Sequence, residues 1–135
     1  VPPRAIRGVI AVSGAGFDLE DQETYRLFGG TQISVTRRFG IEMSPERARE
    51  ASPINYLDKD DPPFLLMNPT GDKRGVLRQS ALMAAALKKA GIWTWVVPIP
   101  GLNHTGVIIV MSRPDRAPVA SPPSNVTSPP HTVAS

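Results

Sequence analysis

Three near-continuous apolar runs, each closed by breakers, constrain this chain more than any other feature: "IRGVIAV" (residues 6–12), "PFLLMN" (63–68) and "WTWVVPI" (93–99). A strand with one wet face alternates apolar and polar residues. A strand in a parallel sheet, covered on both faces, does not, and these three runs do not alternate. Between the second and third lies "VLRQSALMAAALKKAG", in which Val76, Ser80, Met83, Ala84 and Leu87 fall on one helical face while Arg78, Lys88 and Lys89 point away. Gly91 follows as the expected C′ residue. Strand, helix and strand of these lengths predict a right-handed crossover between parallel neighbours. The expected class is therefore α/β, a portion of a doubly wound, mostly parallel sheet with about three strands and flanking helices.

The fifty or so residues between the first two runs carry weaker signals. "DLEDQETYRLFGG" offers Asp18 as an N-cap and Gly29-Gly30 as a stop, and "SPERAREASP" offers Ser44 as N-cap, Pro45 at N1 and Pro53 beyond the end. Two short helices are predicted there and no further buried strand, "ISV" at 33–35 being too short. After the third run, "TGVIIVMSRP" reads as a stunted helix or an added strand. Its β-branched Val107, Ile108, Ile109 and Val110 favour the strand on propensity alone. The stretch 113–135 holds six prolines among serines, alanines and valines. It has too little apolar surface to offset its ordering entropy, so a disordered tail is expected, leaving 1–112 as one partial domain. "NVT" at Asn125 fits a glycosylation acceptor, a triplet common by chance.

Several function classes are excluded at this level. With 135 residues and 41% apolar content the chain builds one core. There is no cysteine, hence no disulfide framework, thiolate metal site or cysteine nucleophile. The net charge of +3 is spread over interspersed signs, a solvated surface and not a nucleic-acid footprint. No apolar stretch approaches the roughly eighteen residues of a membrane span, and "VPPRAIRG" lacks the regions of a signal peptide. A soluble, cytoplasmic chain is the plainer expectation, and the missing start methionine suggests that it begins inside something longer. "GAGFDL" lacks the third glycine of a dinucleotide fingerprint, and "GDKRG" is no phosphate loop. Outside the tail, which holds His131, His104 stands alone among histidines, so no His-rich metal site is expected and no cofactor is implied.

What remains is an acid and a base. In doubly wound sheets functional residues lie just past the carboxyl ends of the strands. Asp72, in "TGDKRG", follows the second run and His104, in "GLNHTG", follows the third, so both belong to one sheet edge on adjacent crossovers. A carboxylate holding one imidazole nitrogen, with the other free to take a proton, is the arrangement a charge-paired base needs. Taken singly, the aspartate is a turn residue and the histidine a loop residue. Their joint placement favours function.

The segment "ASPINYLDKDDPPFLLMNPTGDKRGVLRQSALMAAALKKAGIWTWVVPIPGLNHTG" resembles the carboxyl-terminal half of α/β-hydrolase esterases, in particular the carboxylesterase and kynurenine-formamidase-like branch. The likeness covers about residues 6–106, with "IRGVIAVSGAGFDLE" similar to the strand and loop that come after the family's nucleophile. The resemblance implies an α/β-hydrolase fold in which Asp72 corresponds to the triad acid and His104 to the triad base, acting on a small-molecule ester or amide. "NPTGD" departs from the pattern, Pro69 standing where a flexible small residue is common.

Ser13, in "GVIAVSGAGFD", completes the order Ser, Asp, His, yet it is a poor nucleophile. A nucleophile elbow needs glycines two before and two after its serine; here those positions hold Ala11 and Ala15. The glycines that follow disfavour the helix an elbow feeds. Ser13 is expected instead in a close-packed turn one strand beyond the nucleophile. Ser34, Ser44, Ser52 and Ser80 have no glycine-flanked elbow either, and no "HGG"-type oxyanion loop is present. Two functions follow: a serine hydrolase to which this chain brings acid and base but not nucleophile, completed by an amino-terminal half or partner chain; or a non-catalytic truncated or split fragment acting only by association with another chain. Tyr25, Phe28 and Phe39 are candidates for an apolar acyl or aryl site, with packing of short helices the plainer account.

Overall fold

A computed structural model describes residues 6–113. The expected tail, with Asn125 and His131, lies outside the described residues. Three parallel strands form one sheet in the order β1 (Val9–Val12), β2 (Phe64–Pro69), β3 (Thr94–Ile99). Ile10 stands opposite Leu65, which stands opposite Trp95. The strands are one to three residues tighter than the apolar runs suggest at their amino ends, and β2 extends through Pro69.

The long helix α4 (Arg74–Lys89) joins β2 to β3. Its buried side chains Met83 and Leu87 meet Leu66 and Ile92 on one sheet face, with Ala11 and Phe64 beside them. Its end obeys the sequence. Gly91 has φ +78°, Gly91 N–H donates to Lys88 O at 3.1 Å and Ile92 N–H to Leu87 O at 2.9 Å, which is a Schellman closure with its apolar contact in place. Ser80 donates to Asn68 Oδ1 at 2.7 Å, pinning helix to strand inside the core.

On the opposite face Met67 and Ile99 pack on Val107 of α5 (His104–Met111). This corrects the strand reading of "VIIV". The side chain of Asn103 accepts from Gly106 N–H at 2.8 Å, starting a helix. Burial of Val107 against the sheet then outweighs the modest cost of β-branching.

The intervening segment forms α1 (Gln22–Leu27), α2 (Gln32–Arg37) and α3 (Pro45–Ala51), then a 3₁₀ turn at Pro53–Tyr56. Ser44 caps α3 as expected. The cap of α1 is Asp21, not Asp18; Asp18 instead accepts from Glu20 N–H in its own turn. Helix α2, opened by a Thr31–Ser34 capping box, was not foreseen.

Arg78 does not point away. Its guanidinium grips the Asp21 carboxylate with two bonds of 2.7 and 2.8 Å, binding α1 to α4. Beside it Gln79, fully buried, accepts from the N–H groups of Phe17 and Asp18 and donates to Asp18 O and Thr24 Oγ1. The Arg78 guanidinium holds the Asp21 carboxyl down to about 2 from its ordinary 3.8. A carboxyl lowered by folding stabilises the fold above its unfolded value, and that contribution disappears as pH falls through the folded one. Arg78→Met is therefore expected to be less stable than the parent near neutrality, with a deficit that shrinks as pH falls toward 2, where the parent itself loses the contribution. Urea unfolding at a series of pH values measures both limbs.

Candidate active site

The loops after β2 and β3 are tied together by backbone before any side chain acts. Thr70 N–H donates to Ile99 O at 2.9 Å and Gly71 N–H to Leu102 O at 3.0 Å. A Cβ on Gly71 would lie 2.8 Å from that same Leu102 oxygen, so only glycine lets the loops approach this closely. Asp72 N–H closes the turn onto Pro69 O at 3.1 Å. Pro69, the last residue of β2, is buried and leaves Asp72 on course.

This brings together the two residues singled out in the sequence. Asp72 Oδ1 lies 3.2 Å from His104 Nδ1. The Asp72 side chain is fully buried, while that of His104 is 39% exposed. Lys73 N–H donates to the same Oδ1 at 2.7 Å, fixing the carboxylate's orientation from its own backbone. His104 is the first residue of α5, so the Asn103 cap that starts the helix also sets where the ring stands. With Nδ1 facing the carboxylate, His104 makes no other side-chain hydrogen bond among the described residues, and its ring is partly open to solvent. Chemically this is a paired, oriented imidazole ready to accept a proton.

Ser13 terminates β1, its N–H donating to Met67 O at 3.0 Å. It has φ +52°, the one positive value on a non-glycine among the described residues. Its buried hydroxyl makes no hydrogen bond, to His104 or to anything else described. It sits in a tight turn at the sheet edge, as expected.

Next to His104 opens a cavity of about 360 Å³ walled by α1, α2 and the start of α4. Tyr25, Phe28 and Phe39 all line it, so the segment that read as weak short helices builds a concave apolar wall. Phe28 also seats against Gly75 of α4, where a Cβ would come within 2.8 Å of its ring. Arg38 and Lys73 line the same cavity and were not anticipated. Nothing local marks them, since the cavity is assembled from residues of α1, α2 and the start of α4 that meet only in the folded chain.

Three parallel strands with flanking helices form part of an α/β-hydrolase fold, and solved structures bear the fold out. A truncated carbohydrate esterase from gut microbiota aligns with 75% of this chain and 36% of its own at 21% identity, TM-score 0.54. Carboxyl esterase 2 from the mycorrhizal fungus Tuber melanosporum aligns over 80% and 39% at 19% identity, TM-score 0.57. The acylaminoacyl peptidase of Pyrococcus horikoshii aligns over 77% and 17% at 22% identity, TM-score 0.57. The chain thus spans well under half the length of each. Residues 18–117 match the prolyl oligopeptidase family, and the chain belongs to it. Among curated proteins no relative matches. No helix among the described residues is long and apolar enough to cross a membrane.

Proposed function

We propose that this chain supplies the acid and the base of a serine hydrolase cleaving carboxylic esters or small amides. The observation that carries the reading is the 3.2 Å contact between His104 Nδ1 and a fully buried Asp72 carboxylate. His104 Nε2 removes the proton from a serine hydroxyl as its oxygen attacks the substrate carbonyl, then returns that proton to the departing alcohol or amine. Asp72 acts through the histidine, holding its tautomer and stabilising the imidazolium. The serine and the oxyanion donors come from a segment outside this chain, either an amino-terminal half or a partner chain.

Exposed apolar surface supports that last step. Ile10 of β1 is 66% exposed, and on α5 Ile108 and Ile109 are 59% and 50% exposed. A helix apolar all round belongs under another layer, and an edge strand with unpaired backbone groups is a template for a neighbour. The test is hydrolysis of a short-chain aryl ester by the gene product carrying this chain with its upstream sequence. Turnover is expected, with a loss of about 10³-fold or more in His104→Ala. Activity that survives that substitution rejects the assigned base.

The same exposed surface favours a second reading, a non-catalytic chain that works only by association. Sedimentation tests what both readings share. A compact, soluble monomer of the 135-residue chain counts against association and against the need for a missing layer.

A further inference from the structure

The cavity beside His104 carries a charge pattern that the acid and base do not use. Its polar side chains are turned inward. The Tyr25 hydroxyl donates to Leu19 O at 3.0 Å, that of Thr36 to Gln32 O at 2.9 Å, and that of Thr24 to Asp21. What faces the space is apolar surface, including Phe39 at 76% and Ile41 at 48% exposure, together with two cations, Arg38 and Lys73. Neither cation pairs with a carboxylate among the described residues, as holds for most of the other described Lys and Arg side chains; what sets these two apart is that they line the cavity. Asp18 is the one anionic side chain lining the cavity, and its Oδ1 is engaged by Glu20 N–H. A cavity of about 360 Å³ is the size of a small-ligand site.

We propose that this cavity selects substrates whose apolar or aromatic group bears a carboxylate on the side away from the scissile bond, with Arg38 and Lys73 receiving that anion. The inference rests on the reading of His104 as the base only in saying which end of the ligand faces it. The aromatic body lies along Tyr25, Phe28 and Phe39, and Arg38 and Lys73, on the same lining, receive the charged end. Ligand burial also covers apolar side chains that otherwise face water.

The experiment measures binding, not turnover. Ligand-observed NMR on the full gene product at low salt compares 3-phenylpropanamide with 3-(4-carboxyphenyl)propanamide, neutral at the end that mimics the scissile bond. The carboxylated amide is expected to bind about five-fold more tightly, the scale of a partly exposed charge contact. Arg38→Gln and Lys73→Gln are each expected to reduce that ratio, and the double variant to bring it close to one. Lys88→Gln, at the far end of α4, serves as the charge control and keeps the ratio. Equal binding of the two amides, no binding of either, or a ratio that persists in the double variant overturns the proposal. Because the readout needs no chemistry, an inactive protein with the ratio intact rejects the hydrolase reading alone. An active one with a ratio of one rejects only the anion site.

Discussion

Asp72→Asn is expected to slow ester turnover by roughly 10³- to 10⁴-fold while KM changes little. The argument is local. The buried carboxylate accepts both from Lys73 N–H and from His104 Nδ1 through one oxygen, while its Oδ2 has no partner among the described residues. An asparagine has two ways to sit there. With its oxygen in place of Oδ1 it keeps both bonds but buries an unpaired NH₂ and removes the charge opposite the imidazolium. With its NH₂ there, it opposes Lys73 N–H and forces the histidine to protonate Nε2, the nitrogen that must accept. Either way the transition state loses more than the ground state, so the loss falls in kcat. A near-normal kcat assigns Asp72 to the turn alone.

The second large effect concerns stability. Gln79→Leu is expected to cost about 3 kcal/mol and to lower Tm by roughly 15 °C, because each buried backbone group left unpaired costs about 1–3 kcal/mol. Leucine fills the space but offers nothing to the Phe17 and Asp18 N–H groups that Gln79 Oε1 accepts at 2.9 and 2.8 Å, nor to Asp18 O and Thr24. The turn after β1 and the start of α1 lose their anchor on α4, and the cavity wall goes with them. Thermal and urea melts followed by circular dichroism measure it. A loss under about 1 kcal/mol means the turn finds other partners.

The two effects sit differently with respect to what the sequence reveals. The proximity of Asp72 and His104 was legible because parallel strands announce themselves by unbroken apolar runs, and the ends of those runs bring the following loops to one sheet edge. Gly91 was legible for a related reason, a C′ glycine closing a strongly periodic helix. Gln79 was not singled out, although a glutamine at the third position after Val76, on the same face as Ser80 and Met83, is a signal that something polar is being satisfied inside. Arg78 misled because its partner Asp21 is 57 residues away, and a charge on the flank of an apolar stripe reads as solvated. Helix α5 misled because propensity within "VIIV" competes with a cap four residues upstream, and burial of Val107 decides the outcome. The cavity was partly legible: its three aromatics were candidates, but their convergence depends on α2, whose six residues carry too few apolar positions to show a period.

In the proposed reaction Asp72 acts only through His104, orienting the imidazole and stabilising its charged form. The most direct measurement is a double-mutant cycle on aryl-ester turnover by the gene product, with Asp72→Asn, His104→Ala and the two combined. If the pair is a unit, the double variant is expected to be no slower than His104→Ala alone, since an aspartate has nothing left to orient once the imidazole is gone. Losses that multiply, or a double variant that retains turnover, would contradict it.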